Sequence, residues 1–230
     1  MRRSVQYLFG TFIAALLVAG PIGYAWYWQR QIRNLRVVRD GVLYRSGQMS
    51  LAGLKSVVHD YGIRTVISLR DGTHPGEPPP DSEEEDYCWA QELTYCRITP
   101  QDWDSRLGTA PAEEGVRKFR AIMDDPDNYP VLIHCWAGIH RTGAFCAIYR
   151  MEYEHWTNEA AMAEMRDCGY TNLDNELDIL GYLEQYRPRW QAATDPAGPA
   201  TSQQPHLHLT SHKKHRRHTN PGPDAGADRK

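Results

Sequence analysis

The chain has 230 residues, 41% hydrophobic and 24% charged, with a formal net charge of −3 that singles out no class of partner. That length fits one ordinary domain plus extra segments, and the hydrophobic fraction is enough for a core. Five cysteines, an odd number without C-x-x-C pairs, suggest neither a disulfide framework nor a zinc ribbon, and free thiols suit a reducing compartment.

Residues 4–28, "SVQYLFGTFIAALLVAGPIGYAWYW", carry no charge and are long enough to cross a bilayer, which needs about 20 apolar residues. Tyr24, Trp26, Tyr27 and Trp28 would form an interfacial belt, with Arg30 and Arg33 beyond it. A cleaved signal peptide with Arg2 and Arg3 as its basic start is the rival reading. The stretch is long for that role and Pro21 follows "VAG". A buried core helix is a third reading. The sequence therefore predicts an N-terminal transmembrane anchor and juxtamembrane segment over 1–34.

Residues 35–190 alternate strand and helix signals. "RVVRDGVLYRSG" reads as a strand or hairpin, and "SLAGLKSVVHDYG" as a helix capped by Ser50 and stopped by Gly62. "RTVISL" is a β-branched strand. The Pro-rich acidic "PGEPPPDSEEED" leads into a helix near 83–92, whose early acids suit the helix dipole. A strand "LTYCRI" and a helix "APAEEGVRKFRAIM", with Pro111 near its first turn, come next. "YPVLIH" is wholly apolar, as a central buried strand should be. Helices follow over 141–155, 158–167 and 174–187. This alternation predicts an α/β fold with a mainly parallel central sheet flanked by helices, functional residues lying at the carboxyl ends of its strands. From about 191 to 230 the chain is rich in Pro, Gly, Ser, Thr and His and offers little to bury, so a disordered basic tail is expected. The bland reading of its His/Lys/Arg run is a solvated tail. No nucleic-acid partner is expected.

The stretch "VLIHCWAGIHRTGAF" ends the apolar strand at Cys135 and places Arg141 six residues later. A bare C-x5-R is weak, but here a strand leads into it and a helix leads out. The amides of 136–141 (Trp136, Ala137, Gly138, Ile139, His140 and Arg141) can turn inward as an anion-binding nest at a helix N-terminus. Gly138 lets the loop close, and Arg141 offers a planar fork for two phosphoryl oxygens. In that field Cys135 is expected to be a thiolate, because helix N-termini and cations lower thiol pKa values to about 3.5–7.5. Thr142 can donate to the sulfur. His134 is expected to support the loop and the cysteine backbone, and His140 to point outward. A buried Cys at a strand end is ordinarily a small hydrophobe, but packing alone leaves Arg141, Thr142 and Gly143 unexplained. No cluster completes a metal site around His134, Cys135 and His140, so no metal and no cofactor are expected.

"HCWAGIHRTG" resembles the H-C-x-x-G-x-x-R-[ST]-G signature of the cysteine-based protein tyrosine phosphatase superfamily. "LYRSGQMS", "IRTVISLRDG" and "YRMEYEHWTNEAAMAEMRDCGY" resemble its dual-specificity branch, including bacterial members, over about residues 37–187. The resemblance implies a phosphocysteine intermediate, no metal, and a phosphorylated protein or small phosphate-monoester substrate. It also implies a general acid on the loop after the strand preceding the signature strand, here "RITPQDWDSRLG". Its "ITPQD" resembles the dual-specificity pattern in which the acid follows the strand end, which makes Asp102 the choice, Asp104 the runner-up and Asp71 third; the Trp-Pro-Asp triplet of the tyrosine-specific branch is lacking. An inositol polyphosphate or phosphoinositide substrate is the nearest alternative, although the loop carries no lysine. A phosphate-binding pseudophosphatase scaffold and an arsenate reductase are further rivals. Arg30, Arg33, Arg36 and Arg39 beyond the span, and the oxidation-prone thiolate, place the catalytic domain of a single-pass protein in the cytoplasm.

Overall fold

The computed structural model describes residues 2–71, 76–99, 101–105 and 108–194, with side chains throughout except at 2–9, 11, 25–30 and 192–194. The tail expected to be disordered lies, beyond Thr194, outside the described residues.

A helix, α1 (Arg2–Gln31), precedes an α/β body. Strands β1 (Arg36–Arg39), β2 (Leu43–Gly47), β3 (Thr65–Ser68), β4 (Thr94–Arg97) and β5 (Val131–Cys135) form one sheet in the order β1-β2-β5-β3-β4. Only the β1–β2 hairpin, with Gly41 at φ 69° in its turn, is antiparallel; the other pairings are parallel. The mainly parallel sheet expected from the alternation is therefore present.

Helices α2 (Leu51–Tyr61) and α3 (Ser82–Ala90) cover one face of this sheet. The other face meets α4 (Ala112–Met123), α5 (His140–Tyr153), α6 (Asn158–Asp167) and α7 (Leu177–Gln185), and a short α8 (Arg189–Thr194) closes the described chain. The local signals work as elementary chemistry dictates. The Ser50 hydroxyl accepts from the Gly53 amide, Gly62 takes the left-handed conformation at φ 63°, and Thr157 accepts from Ala160. The last of the expected helices is shorter than 174–187, because Leu173–Asn175 winds as a separate 3₁₀ turn before α7.

The apolar strands divide between two cores with the strand period of two. In β5, Val131 and Ile133 join Phe119, Phe145 and Ile148 on one side, while Leu132 joins Tyr44, Leu54 and Val66 on the other. β5 is thus buried on both faces and flanked on both edges, and each such aliphatic side chain contributes about 1.5–3 kcal/mol on burial. Cys135 stands at the carboxyl end of this central strand.

The expected transmembrane anchor is overturned. Among the described residues no helix is long and apolar enough to cross a membrane. Gly20, Pro21 and Gly23 break the run of large apolar side chains in α1. The single-pass placement, the membrane partner and the cytoplasmic orientation drawn from that anchor are withdrawn with it.

Candidate active site

The residues from Cys135 to Arg141 wrap into a loop whose floor is β2. Gly138 sits at φ 73°, and a Cβ there would collide with the backbone of Ser46 and Gly47. Only glycine meets both demands. From the opposite side Gly47 is equally confined, a Cβ lying 2.9 Å from the Trp136 carbonyl. The Gln48 amide donates to that carbonyl at 3.0 Å, and the Asn34 side-chain amide donates to the Ala137 carbonyl at 2.7 Å.

Arg45, which the sequence reading passed over, completes the scaffold. It is 2% exposed and donates from Nη2 to the Gly138 carbonyl at 2.9 Å and the Ile139 carbonyl at 3.4 Å. With the carbonyls drawn outward, the amides are left facing the sulfur. The Gly138 amide donates to Cys135 Sγ at 3.3 Å. The available signal was a charged residue in the middle of the buried strand "LYRSG".

These donors decide the state of the thiol. Burial pushes its pKa up, but the Thr142 hydroxyl and the amides of Thr142, Gly138 and Ile139 outweigh burial and hold it below the ordinary thiol value. The buried Thr142 hydroxyl makes no hydrogen bond of standard geometry, yet it lies close enough to favour the thiolate. The other shifted cysteines behave as small hydrophobes: burial pushes Cys88 up to about 12 and Cys146 up to about 11. Cys135 alone among them is shifted downward.

His134 Nε2 meets Glu84 Oε1 at 2.6 Å, both side chains being buried. Burial favours the neutral ring, but the Glu84 carboxylate outweighs it and raises the pKa above the ordinary value. Gln48 Nε2 donates to the second Glu84 oxygen at 3.0 Å. Beside this pair, Asp81 accepts from Ser68, from Tyr95 at 2.7 Å and from Arg97 at 2.7 Å. The acidic start of α3, read from sequence as dipole compensation, is thus partly turned into the protein behind the cysteine strand.

The remaining loop residues fall into place around this core. Arg141 donates from Nη1 to the Leu69 carbonyl at 3.3 Å, His140 stacks on Tyr170 with ring centroids 4.4 Å apart, and Ile139 packs on the larger core. A Cβ added at Gly143 would lie 3.4 Å from the Met165 side chain of α6. Trp136 is 58% exposed, with Arg33 and Arg70 against its ring. A cavity of about 350 Å³ meets the loop at His140 and Arg141 and is also lined by Asp102 and by Leu69, Trp103 and Phe145. Asp104 lines a second cavity instead. Trp103, 8% exposed and edge-on to Phe145 and Tyr182, pins the segment between the two. Asp71 is exposed and is not among the residues lining either cavity. No group of three or more His, Cys, Asp or Glu side chains suited to a metal occurs among the described residues.

A family described as "DSP-PTPase phosphatase fused to NAD+ kinase" matches residues 27–178, a span that includes every element of this loop and its floor. The chain belongs to this phosphatase family. A dual specificity protein phosphatase, TpbA, of Pseudomonas aeruginosa PAO1 is 41% identical over 141 residues, covering 61% of this chain and 57% of that relative. The TpbA of strain UCBPP-PA14 is 25% identical over 178 residues, covering 77% and 74%. Among solved structures, P. aeruginosa TpbA superposes with a TM-score of 0.51 at 21% identity, covering 69% of this chain and 91% of that one. The catalytic core of the PP-IP phosphatase Siw14 from S. cerevisiae gives 0.52 at 21%, covering 67% and 86%. Both share the fold. The chain is a cysteine-dependent phosphatase of the tyrosine/dual-specificity type, as the signature resemblance implied.

Proposed function

We propose that this phosphatase hydrolyses phosphotyrosine in proteins, and phosphoserine or phosphothreonine less readily, through a phosphocysteine intermediate on Cys135. The observation that carries this reading is the cavity at Arg141. It combines apolar walls from Leu69, Ile98 and Phe145 with the Asp102 carboxylate and the Arg141 guanidinium. An aromatic ring fits such walls while its phosphate reaches the loop. A TpbA variant has been crystallised with pTyr, which supports the same substrate here.

In the proposed mechanism the Cys135 thiolate attacks phosphorus, and the bond to the tyrosine oxygen breaks. The loop amides and the Arg141 fork hold the equatorial oxygens, whose charge spreads in the transition state. Asp102 gives its proton to the departing phenolic oxygen. Water then attacks the phosphocysteine, Asp102 takes a proton from it, and the thiolate leaves as inorganic phosphate is released. Thr142 favours that departure by its interaction with the sulfur. Arg45 fixes the loop carbonyls, and the His134–Glu84 pair stands behind the strand.

The thiolate requirement fixes the direction of one pH effect. Because the Thr142 hydroxyl helps lower the thiol pKa, Thr142→Ala should raise it and move the pH midpoint of iodoacetamide inactivation upward. An unmoved or lowered midpoint in a folded variant would contradict this role.

Turnover of a phosphotyrosine peptide, a phosphoserine peptide and inositol hexakisphosphate by the full chain tests the substrate. The expected order is phosphotyrosine first by at least about tenfold, since only the aromatic ester fills the apolar walls. A preference for the inositol phosphate would replace this reading.

A further inference from the structure

The cation pair at the mouth of the loop takes no part in the mechanism above. The Arg33 and Arg70 guanidinium carbons lie 5.0 and 4.8 Å from the centroid of the Trp136 ring. Trp136 directly follows Cys135, and Arg70 directly follows Leu69, whose carbonyl accepts from Arg141. Both arginines therefore border the phosphate cradle itself. Neither makes an ion pair among the described residues, and Arg70 Nη1 is a buried donor with no acceptor. A guanidinium near an indole face keeps its charge and its N–H donors for an anionic acceptor.

We infer that Arg33 and Arg70, supported on Trp136, form an anion subsite beside the scissile phosphate that takes the carboxylate of an acidic residue flanking the phosphotyrosine. This rests on the phosphotyrosine reading and specifies its sequence context. The half-exposed Trp136 leaves the subsite open along the surface, as a peptide running past the cradle requires. A compact polyphosphate would draw on the same two cations together with Arg141, and turnover of inositol hexakisphosphate in the test below separates it from a flanking carboxylate.

The test compares kcat/KM of the full chain on two phosphotyrosine peptides that differ only in having Glu or Ala on both sides of the phosphotyrosine. Two half-exposed pairs should favour the Glu peptide by roughly three- to tenfold at low salt. That ratio should fall toward one in Arg33→Ala/Arg70→Ala and as ionic strength shortens the screening length. Since the ratio is read within one variant, a general loss of activity cancels. Arg33→Glu/Arg70→Glu should invert the preference toward Lys-flanked peptide. A wild-type ratio near one, or a ratio unchanged in both double variants, overturns the subsite while leaving phosphotyrosine hydrolysis intact. Failure to hydrolyse either peptide, with turnover of inositol hexakisphosphate, overturns the phosphotyrosine reading and the subsite together.

Discussion

Cys135→Ser should lower kcat on p-nitrophenyl phosphate by about 10⁵-fold or more, the scale seen when a catalytic nucleophile is removed. The reason is electronic before it is steric. The loop amides and Thr142 lower the pKa of a thiol and so favour its anion, whereas a serine hydroxyl, of far higher intrinsic pKa, stays neutral in the same place. The side chain is 4% exposed at the end of a strand buried on both faces, so the nearly isosteric replacement should fold. Retained near-UV circular dichroism would verify that. Vanadate, which binds by accepting a bond from the nucleophile, should lose much of its affinity in the same variant. Turnover close to wild type in Cys135→Ser would sink the mechanism.

Asp102→Asn should separate substrates by their leaving groups. An alkyl or unsubstituted phenyl phosphate needs its oxygen protonated as the bond to phosphorus breaks, and general acid catalysis contributes about 10²–10⁴-fold. A strongly acidic phenol leaves without help and should be slowed little. Asp104→Asn supplies the control within the same segment. Asp102 and Asp104 flank the buried Trp103 and line different cavities, and only the first cavity contains Arg141. If Asp104→Asn shows the leaving-group dependence and Asp102→Asn does not, the roles are exchanged.

What could be read from the sequence was whatever is encoded locally. A wholly apolar run before Cys135 marks the central strand, Ser50, Gly62 and Thr157 mark helix ends, and the spacing of Gly138 and Arg141 marks the loop. These depend on neighbours a few residues apart. Arg45 and Glu84 carry their meaning through partners at separations of 93 and 50 residues, and nothing in "LYRSG" or "SEEED" names those partners. The acidic start of α3 suits a helix dipole equally well whether or not one of its carboxylates is buried against a histidine. The anchor reading failed differently. An uncharged stretch satisfies a composition rule, but Gly20, Pro21 and Gly23 interrupt the apolar side chains described in α1. The order of "ITPQD" alone prefers Asp102 to Asp104; that Trp103 divides them between two cavities is a tertiary fact that no spacing rule supplies.

The segment leaving α1 has a mechanical consequence. The Arg33 carbonyl accepts from the Gly47 amide at 2.8 Å, the Gln31 carbonyl from the Ser50 amide at 3.2 Å, and Asn34, at φ 49°, holds the Ala137 carbonyl. Gly53 has no room for a Cβ beneath the Gln31 carbonyl. This clamp fastens the segment after α1 to the end of β2 and to the catalytic loop at once. The Ala137 carbonyl that Asn34 holds belongs to the same peptide group as the Gly138 amide that donates to Cys135 Sγ, so one side-chain amide orients a donor to the sulfur from the far side of its peptide plane.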